Sequence, residues 1–267
     1  MNIVVCVKQV PDATEVKIDP KTNTLMREGV PSIINPYDIH AVEAALQLKD
    51  EVGGKVTILT MGPPMATESI KKALSYGADR GILLSDRSFA GSDTLATSYI
   101  LAQAIRKIME KEQVDLILCG KQAIDGDTAQ VGPGIAARLD IPQLTYVNKI
   151  VKVDSEEPSI TVHRKLESIK EVIKAKLPAL LTVEKSLNEI RYASLPNMIK
   201  AAQGEIEVWG SKDFELNDLE IGLKGSPTWV GKIFAPPERE GGEILGGVEA
   251  VPMLVQQLIK ETIVANK

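Results

Sequence analysis

The stretch CGKQAIDGDTAQVGP, Cys119–Pro133, gathers the residues of this 267-residue chain best equipped to hold a ligand. Gly120 and Gly126 let a backbone approach a ligand closely, and Lys121, Thr128 and two glutamines supply donors. No nucleophile is paired with a base in it. Thr94 of FAGSDT and Thr128 place hydroxyls next to exposed helix N–H groups, the usual equipment for phosphate. Asp125 and Asp127 need a separate account, since carboxylates repel phosphates. Asp127 has capping-box spacing to Gln130, which would turn its carboxylate onto the N–H groups of a helix starting at Thr128. Pro133 would cost that helix an internal bond. A start at Gly132-Pro133 would instead leave Gly126–Val131 as an extended cradle, and both starts stay open. A capped turn with no ligand is the competing reading, because neither a Walker A motif nor a clean G-x-G-x-x-G is present.

Candidate catalytic groups are few. His40 falls on a helical pattern and His163 on a strand pattern, without metal-like spacing to each other or to cysteine. Both read as structural. No Ser-His-Asp or Cys-His constellation can be assembled, so any chemistry would belong to a bound cofactor.

These loops need elements to position them. Five nearly continuous apolar runs, Ile3–Val7, Lys55–Met61, Gly81–Ser85, Val114–Gly120 and Leu177–Val183, read as strands covered on both faces. Helical patterns separate the first four. One has Asn35 as N-cap, Pro36 at its first position and Gly53 to close it; another carries Ile70 and Leu74 before Gly77. A third starts near Asp93-Thr94 with Leu95, Ala102, Ile105 and Met109 on one face. The alternation predicts an α/β fold, a three-layer, Rossmann-like, mostly parallel sheet. Ligands of such sheets bind at the carboxyl ends of the strands, where Lys8, Asn35–Asp38, Met61–Pro64 and Phe89–Thr94 fall. Lys8 has a plain alternative as a solvated strand-end lysine.

From about Gln143 the rhythm changes. YVNKIVKVD and SITVHRKLE read as an antiparallel pair joined by the turn SEEP. Beyond Arg191 the text is irregular and rich in Gly and Pro until a last helix, Val248 to Ile263. The expected organisation is a nucleotide-binding α/β domain, 1–190, followed by a recognition loop, arm and helix, 191–267, lying across another subunit. Trp229, Val230, Ile233 and Phe234 would otherwise be an apolar liability.

Hydrophobic residues make up 44% and charged residues 25%, enough to build a core. A formal charge of −5 without a basic run argues against nucleic acid. Cys6 and Cys119 sit in apolar runs and read as buried, reduced thiols. No window approaches the ~20 apolar residues of a membrane span. The N-terminus has an apolar run of five residues and no cleavage-like site, so the expectation is a soluble cytoplasmic protein.

VCVKQVPD, INPYDIHAVEAAL, GADRGI, GKQAIDGDTAQVGP and RYASLPN together resemble the beta subunit of electron transfer flavoprotein along almost the whole chain. The segment before the fifth apolar run departs in one respect. It keeps Arg164, Glu167, Glu171 and Pro178 but puts Ser168-Ile169 where glycine is common. The resemblance implies a heterodimer with an FAD-binding alpha subunit. The beta subunit would hold AMP, or a second FAD in electron-bifurcating members, and AIDGDTAQVGP and FAGSDT resemble the bifurcating branch. The implied cofactor-binding set is Cys6, Val7, Lys8, Asn35, Pro36, Tyr37, Asp38, Met61, Gly62, Gly120, Lys121, Gln122, Ala123, Ile124, Asp125, Gly126, Asp127, Thr128, Ala129, Gln130 and Val131. Asp93, Thr94 and Thr97 would face the added flavin half. Leu195 would anchor a partner acyl-CoA dehydrogenase, or a flavin-dependent lactate dehydrogenase. NADH would be the electron donor and ferredoxin or flavodoxin the uphill acceptor. Two alternatives stand beside this: a subunit with purely structural AMP, and a stand-alone nucleotide-hydrolysing enzyme.

Overall fold

The computed structural model describes residues 1–12, 17–18, 25–26, 31–154, 156–231, 241–242, 244–261 and 263. Ile233 and Phe234 lie outside them. The strands are β1 (Asn2–Cys6), β2 (Gln9–Pro11), β3 (Lys17–Ile18), β4 (Leu25–Met26), β5 (Ser32–Ile34), β6 (Lys55–Met61) and β7 (Arg80–Leu84). They continue with β8 (Leu116–Gly120), β9 (Gln143–Asp154), β10 (Ser159–Lys165), β11 (Lys170–Lys176), β12 (Ala179–Val183) and β13 (Glu207–Trp209). The helices are α1 (Asp38–Val52), α2 (Thr67–Tyr76), α3 (Thr94–Met109), α4 (Val131–Leu139), α5 (Leu195–Gln203) and α6 (Val251–Lys260).

Nine strands form one sheet in the order β11-β10-β9-β12-β8-β1-β6-β7-β13. The five apolar runs are its parallel centre, β12-β8-β1-β6-β7. Successive residues of a strand feed opposite layers. Ile3 and Val5 pack with α1 and α2, whereas Val4 and Cys6 pack with α3 and α4. That two-sided burial is why these strands read as continuous apolar text. The expected antiparallel pair is present as β9 and β10, with Glu156–Pro158 as described turn residues between them, and β11 extends it on the other side.

Two local expectations change. Asn35 and Pro36 precede a helix that starts at Asp38, because the Asn35 side chain is committed elsewhere and the helix has no side-chain cap. Leu95 is exposed, at the N-terminus of α3, while Ala102 and Ile105 are buried. Gly53 and Gly77 do close α1 and α2 with positive φ.

The chain divides into compact units Met1–Lys232 and Ile233–Lys267. Residues 191–232 therefore stay with the first unit, where α5 packs on α2 and β13 joins the sheet beside β7. The second unit contains α6, whose Val251, Leu254 and Val255 are exposed.

Candidate functional site

Running outward from β1, the chain goes to β6 and β7, then returns to the other side of β1 for β8 and β12. The order thus reverses between β1 and β8, which by topology makes their carboxyl ends the place for a binding crevice. Asp38, the first residue of α1, fastens that crevice from below. Its Oδ2 accepts the Lys8 N–H at 2.7 Å and its Oδ1 accepts the Gly120 N–H at 3.0 Å. Burial pushes the Asp38 carboxyl up to about 7, against the lowering effect of the Lys8 N–H, the Asn35 side chain and the Gly120 N–H. Gly120 has no alternative here: a Cβ would lie 2.3 Å from Asp38 Oδ1 and 2.7 Å from the Tyr37 backbone.

Asn35, fully buried, does for the loop what Asp38 does for the strands. Its Nδ2 donates to the Gln122 carbonyl at 2.8 Å and its Oδ1 accepts the Ile124 N–H at 3.2 Å. Lys8 is not merely solvated, since its Nζ meets both oxygens of Asp125 at 2.7 Å across the crevice. Lys121 turns away to Glu184 at 3.1 Å, under the ring of Tyr146.

Beyond Gly126 the backbone is unusual. Asp127 and Ala129, both with side chains, have φ of 57° and 55°. Left-handed conformation costs a non-glycine residue roughly 1–2 kcal/mol. Among the described residues, the N–H groups of Thr128, Ala129, Gln130 and Val131 have no intramolecular acceptor. Ala129 is left-handed and Gln130 right-handed, and such a pair turns successive N–H groups toward one concavity, an anion nest. The helix begins at Val131, between the two starts the sequence left open. Asp127 caps nothing and accepts from the Gln122 side-chain amide. Thr128 lies outside the helix terminus. Gly126 is exposed, with nothing within 4 Å of a Cβ placed on it.

The loop after β7 is built differently. Asp93 caps α3, its Oδ1 accepting from Leu95 and Ala96, while its Oδ2 takes the N–H and hydroxyl of Thr228. Both oxygens are thus engaged within the chain. Thr94 donates its hydroxyl to Gln130 at 2.9 Å, tying this loop to the cradle. Thr97 lies one turn on, half-buried. Asp86 accepts from Ser88 and Ser211, and those bonds hold its carboxyl well below the usual range. A cavity of about 630 Å³ opens at the carboxyl ends of β6 and β7, lined by Met61, Gly62, Pro63, Leu84, Asp86 and Phe89 among others.

Cys6 and Cys119 are register partners on β1 and β8, both free and buried. Hydrogen bonding to Cys6 and burial push the Cys119 thiol up, which makes it a poor nucleophile. Cys6 and Val7 are too buried to offer a ligand much beyond backbone. His40 bonds Asn188, and no cluster able to hold a metal occurs among the described residues. Sequence reasoning missed the partners Tyr146, Glu184, Ser211 and Thr228. All come from remote segments, so no local spacing could have announced them.

Leu195 is the first residue of α5, capped by Ser194, and is 70% exposed beside Tyr192 at 99%. The base of this segment is pinned by Arg191, which forks onto the nearly buried Glu43 at 2.8 and 3.1 Å.

Comparison with known proteins adds to this geometry. The electron transfer flavoprotein domain model matches residues 22–213. The chain belongs to the electron transfer flavoprotein family. It is 51% identical to the electron transfer flavoprotein subunit beta of Thermoanaerobacterium thermosaccharolyticum, over 97% of this chain and 98% of that one. Protein FixA of Sinorhizobium fredii is 52% identical over 98% of this chain and 92% of its own. Subunit CarD of the caffeyl-CoA reductase-Etf complex of Acetobacterium woodii is 50% identical over 99% and 100%. Its role is accordingly that of a beta-subunit-like electron-transfer protein, and such a subunit implies an alpha partner and a flavoenzyme complex. No helix among the described residues is long and apolar enough to cross a membrane.

Proposed function

We propose that this beta-type subunit binds FAD in the crevice between β1 and β8 and serves electron bifurcation. The observation that carries the reading is the backbone of Asp127–Val131, with two strained non-glycine residues and four N–H groups left without acceptors among the described residues. Strain of this kind persists only where the surroundings enforce it, and free N–H groups in a nest suit a pyrophosphate. Asn35 and Asp38 hold the cradle to the sheet, and Gly126 leaves open space for a bulky ligand. Bound there, FAD would supply hydride acceptance from NADH and one-electron delivery, to ferredoxin or flavodoxin and through alpha-bound FAD to a partner flavoenzyme. The protein's own part is to place that cofactor, exclude water and leave the carboxylates of Asp93 and Asp125 internally paired, so that they do not repel phosphate.

Nucleotide extraction from the heterodimer tests this directly. Two FAD per heterodimer is the expected content; one FAD with one AMP rules out bifurcation here. Leu195 is proposed as the anchor for a dehydrogenase of the acyl-CoA or lactate type. The name of the CarD relative, a reductase-complex subunit, supports the acyl-CoA type. Leu195→Ala should remove roughly 2–3 kcal/mol of apolar contact, about 30- to 150-fold in partner affinity, with an unchanged melting temperature. A lowered melting temperature with full affinity would make Leu195 structural.

A further inference from the structure

The ribbon β9–β11 departs from the parallel sheet at Tyr146, a residue with φ of 60°. One face of it is core: Val147, Ile160 and Val162 are buried, with Ile150, Val153 and Ile173 packed beside them. The opposite face is set by pairing register. Lys149 stands opposite His163, which stands opposite Val172; Lys152 opposite Thr161, opposite Lys174; Lys165 opposite Lys170. Lys176 follows on the same face of β11. Six lysines therefore share one solvent-facing surface. Lys152 pairs with Asp154 and Lys174 with Glu157. Lys149, Lys165, Lys170 and Lys176 have no carboxylate partner among the described residues. The chain as a whole carries −5, so this field runs against the net charge.

Lysines on β11 alone would be explained as protection of an edge strand. Among the described strands, Lys149 and Lys152 also stand where β9 pairs with β10 alone, because β12 pairs it only as far as Val147. Edge protection therefore leaves unexplained Lys165, on β10 between β9 and β11, and the sharing of one face by all six. A face that sets six lysines against Asp154, opposite Ser159, steers a partner of opposite charge. Its exposed apolar residues are only Val172 and Val151, with Ile169 at the turn, and obligate interfaces are richer in apolar surface than that. It also has no aromatic residue or arginine, the groups that stack on and fork onto nucleic acid. Nor does it lie far from the cradle: the Tyr146 ring at its root is 5.0 Å from Lys121 Nζ.

We infer that the lysine face of β9–β11 is the docking surface for a small acidic protein that binds and leaves quickly. Resting on the reading under Proposed function, that protein is the one-electron carrier. Electrostatic steering would set its association rate, and release would follow because little apolar area is buried.

The test uses the whole heterodimer and an acidic ferredoxin as probe, with binding measured by biolayer interferometry independently of turnover. The variant combines Lys149→Glu, Lys165→Glu, Lys170→Glu and Lys176→Glu, with the corresponding lysine-to-glutamine set as a second variant. Association at low salt should fall roughly ten- to hundred-fold in the glutamate variant and less in the glutamine one. Its salt dependence should weaken while the melting temperature and FAD content stay put. Should the glutamate variant fail to fold, the glutamine set and the salt dependence of the unmodified heterodimer carry the test. An unchanged association rate overturns the inference. So does protection of these lysines from acetylation in the heterodimer, which would mean that the alpha subunit covers them. Preferential lysine-dependent binding of a DNA duplex or an anionic vesicle overturns it too. A heterodimer holding AMP that still binds ferredoxin through the ribbon would sink bifurcation and keep the docking surface.

Discussion

The loops after β7 and after β8 stand at the same edge of one sheet and both contain Asp-Thr. Asp93-Thr94 starts α3 directly, with the carboxylate capping two N–H groups. Asp127-Thr128 stops short of α4, and the backbone turns left-handed instead. The difference is Pro133. A helix from Thr128 would need a Pro133 N–H for the Ala129 carbonyl and would push the ring into that carbonyl. Starting at Val131 places Pro133 in the first turn, where N–H groups have no helical partner anyway. One loop thus spends its polar groups on its own helix, and the other keeps its N–H groups available. A motif of residue types is not a site until the chain around it decides which groups are left over.

The carboxylates of the two regions should answer pH in opposite directions. Asp38, raised to about 7, lets the folded state hold a proton that the unfolded chain has released above 3.8. Stability from this group is therefore lost as pH rises through that window, by up to about 1.4 kcal/mol per unit and about 4 kcal/mol in all. Asp86 and Asp93 have lowered values, so their contribution is present above 3.8 and is lost as pH falls toward their folded values. Urea midpoints from pH 4 to 8 should decline with pH in the wild type and flatten in Asp38→Asn. A wild-type midpoint that is level across the window would mean that Asp38 stays ionised on its two N–H donors.

The next contrast lies within the cradle. Gly120→Ala forces a Cβ into Asp38 and the Tyr37 backbone, and should cost about 3 kcal/mol or more. Gly126→Leu meets open space and should leave the melting temperature unchanged while removing the bound nucleotide. Full nucleotide retention in that variant would move the pyrophosphate away from Gly126.

The two regions also differ in how far they could be read from sequence. The five parallel strands were legible because continuous apolar runs have few other uses. The SEEP hairpin was legible from its alternation and turn residues. The start of α1 was misread because Asn35-Pro36 satisfies a local capping rule, whereas the Asn35 side chain is taken by Gln122 and Ile124, nearly ninety residues on. The ion pair of Lys8 went unread for the same reason, its partner Asp125 being remote in sequence. Arg191–Glu43 and Asp93–Thr228 are equally silent. What sequence conveys is the periodic and the local; the fastening of loops to one another is long-range and pairwise.

Asp93→Ala and Asp127→Ala separate the loops at smaller scale. Losing the α3 cap and the tie to Thr228 should cost about 1–2 kcal/mol. Among the described residues the Asp127 carboxylate meets the Gln122 side chain alone, at the exposed surface, so its removal should stay within about 0.5 kcal/mol. Equal losses in thermal melts would show that the two aspartates do the same job.

The smallest effect is the most specific. Ala129 holds a φ of 55° at roughly 1–2 kcal/mol, which glycine would not incur. Glycine in turn gives up roughly 0.5–1 kcal/mol through the freedom of the unfolded chain. Ala129→Gly should therefore raise stability by about 0.5 kcal/mol, a shift of a degree or two in melting temperature for a unit of this size. Nucleotide affinity should rise with it, because glycine takes up the left-handed conformation at no steric cost and binding then has less ordering to do. A more stable protein that also binds its nucleotide more tightly identifies the left-handed turn at Ala129 as part of the site. Raised stability with unchanged affinity would mean that the turn merely burdens the fold, and that the ligand is held by Asn35, Asp38 and the strand ends alone.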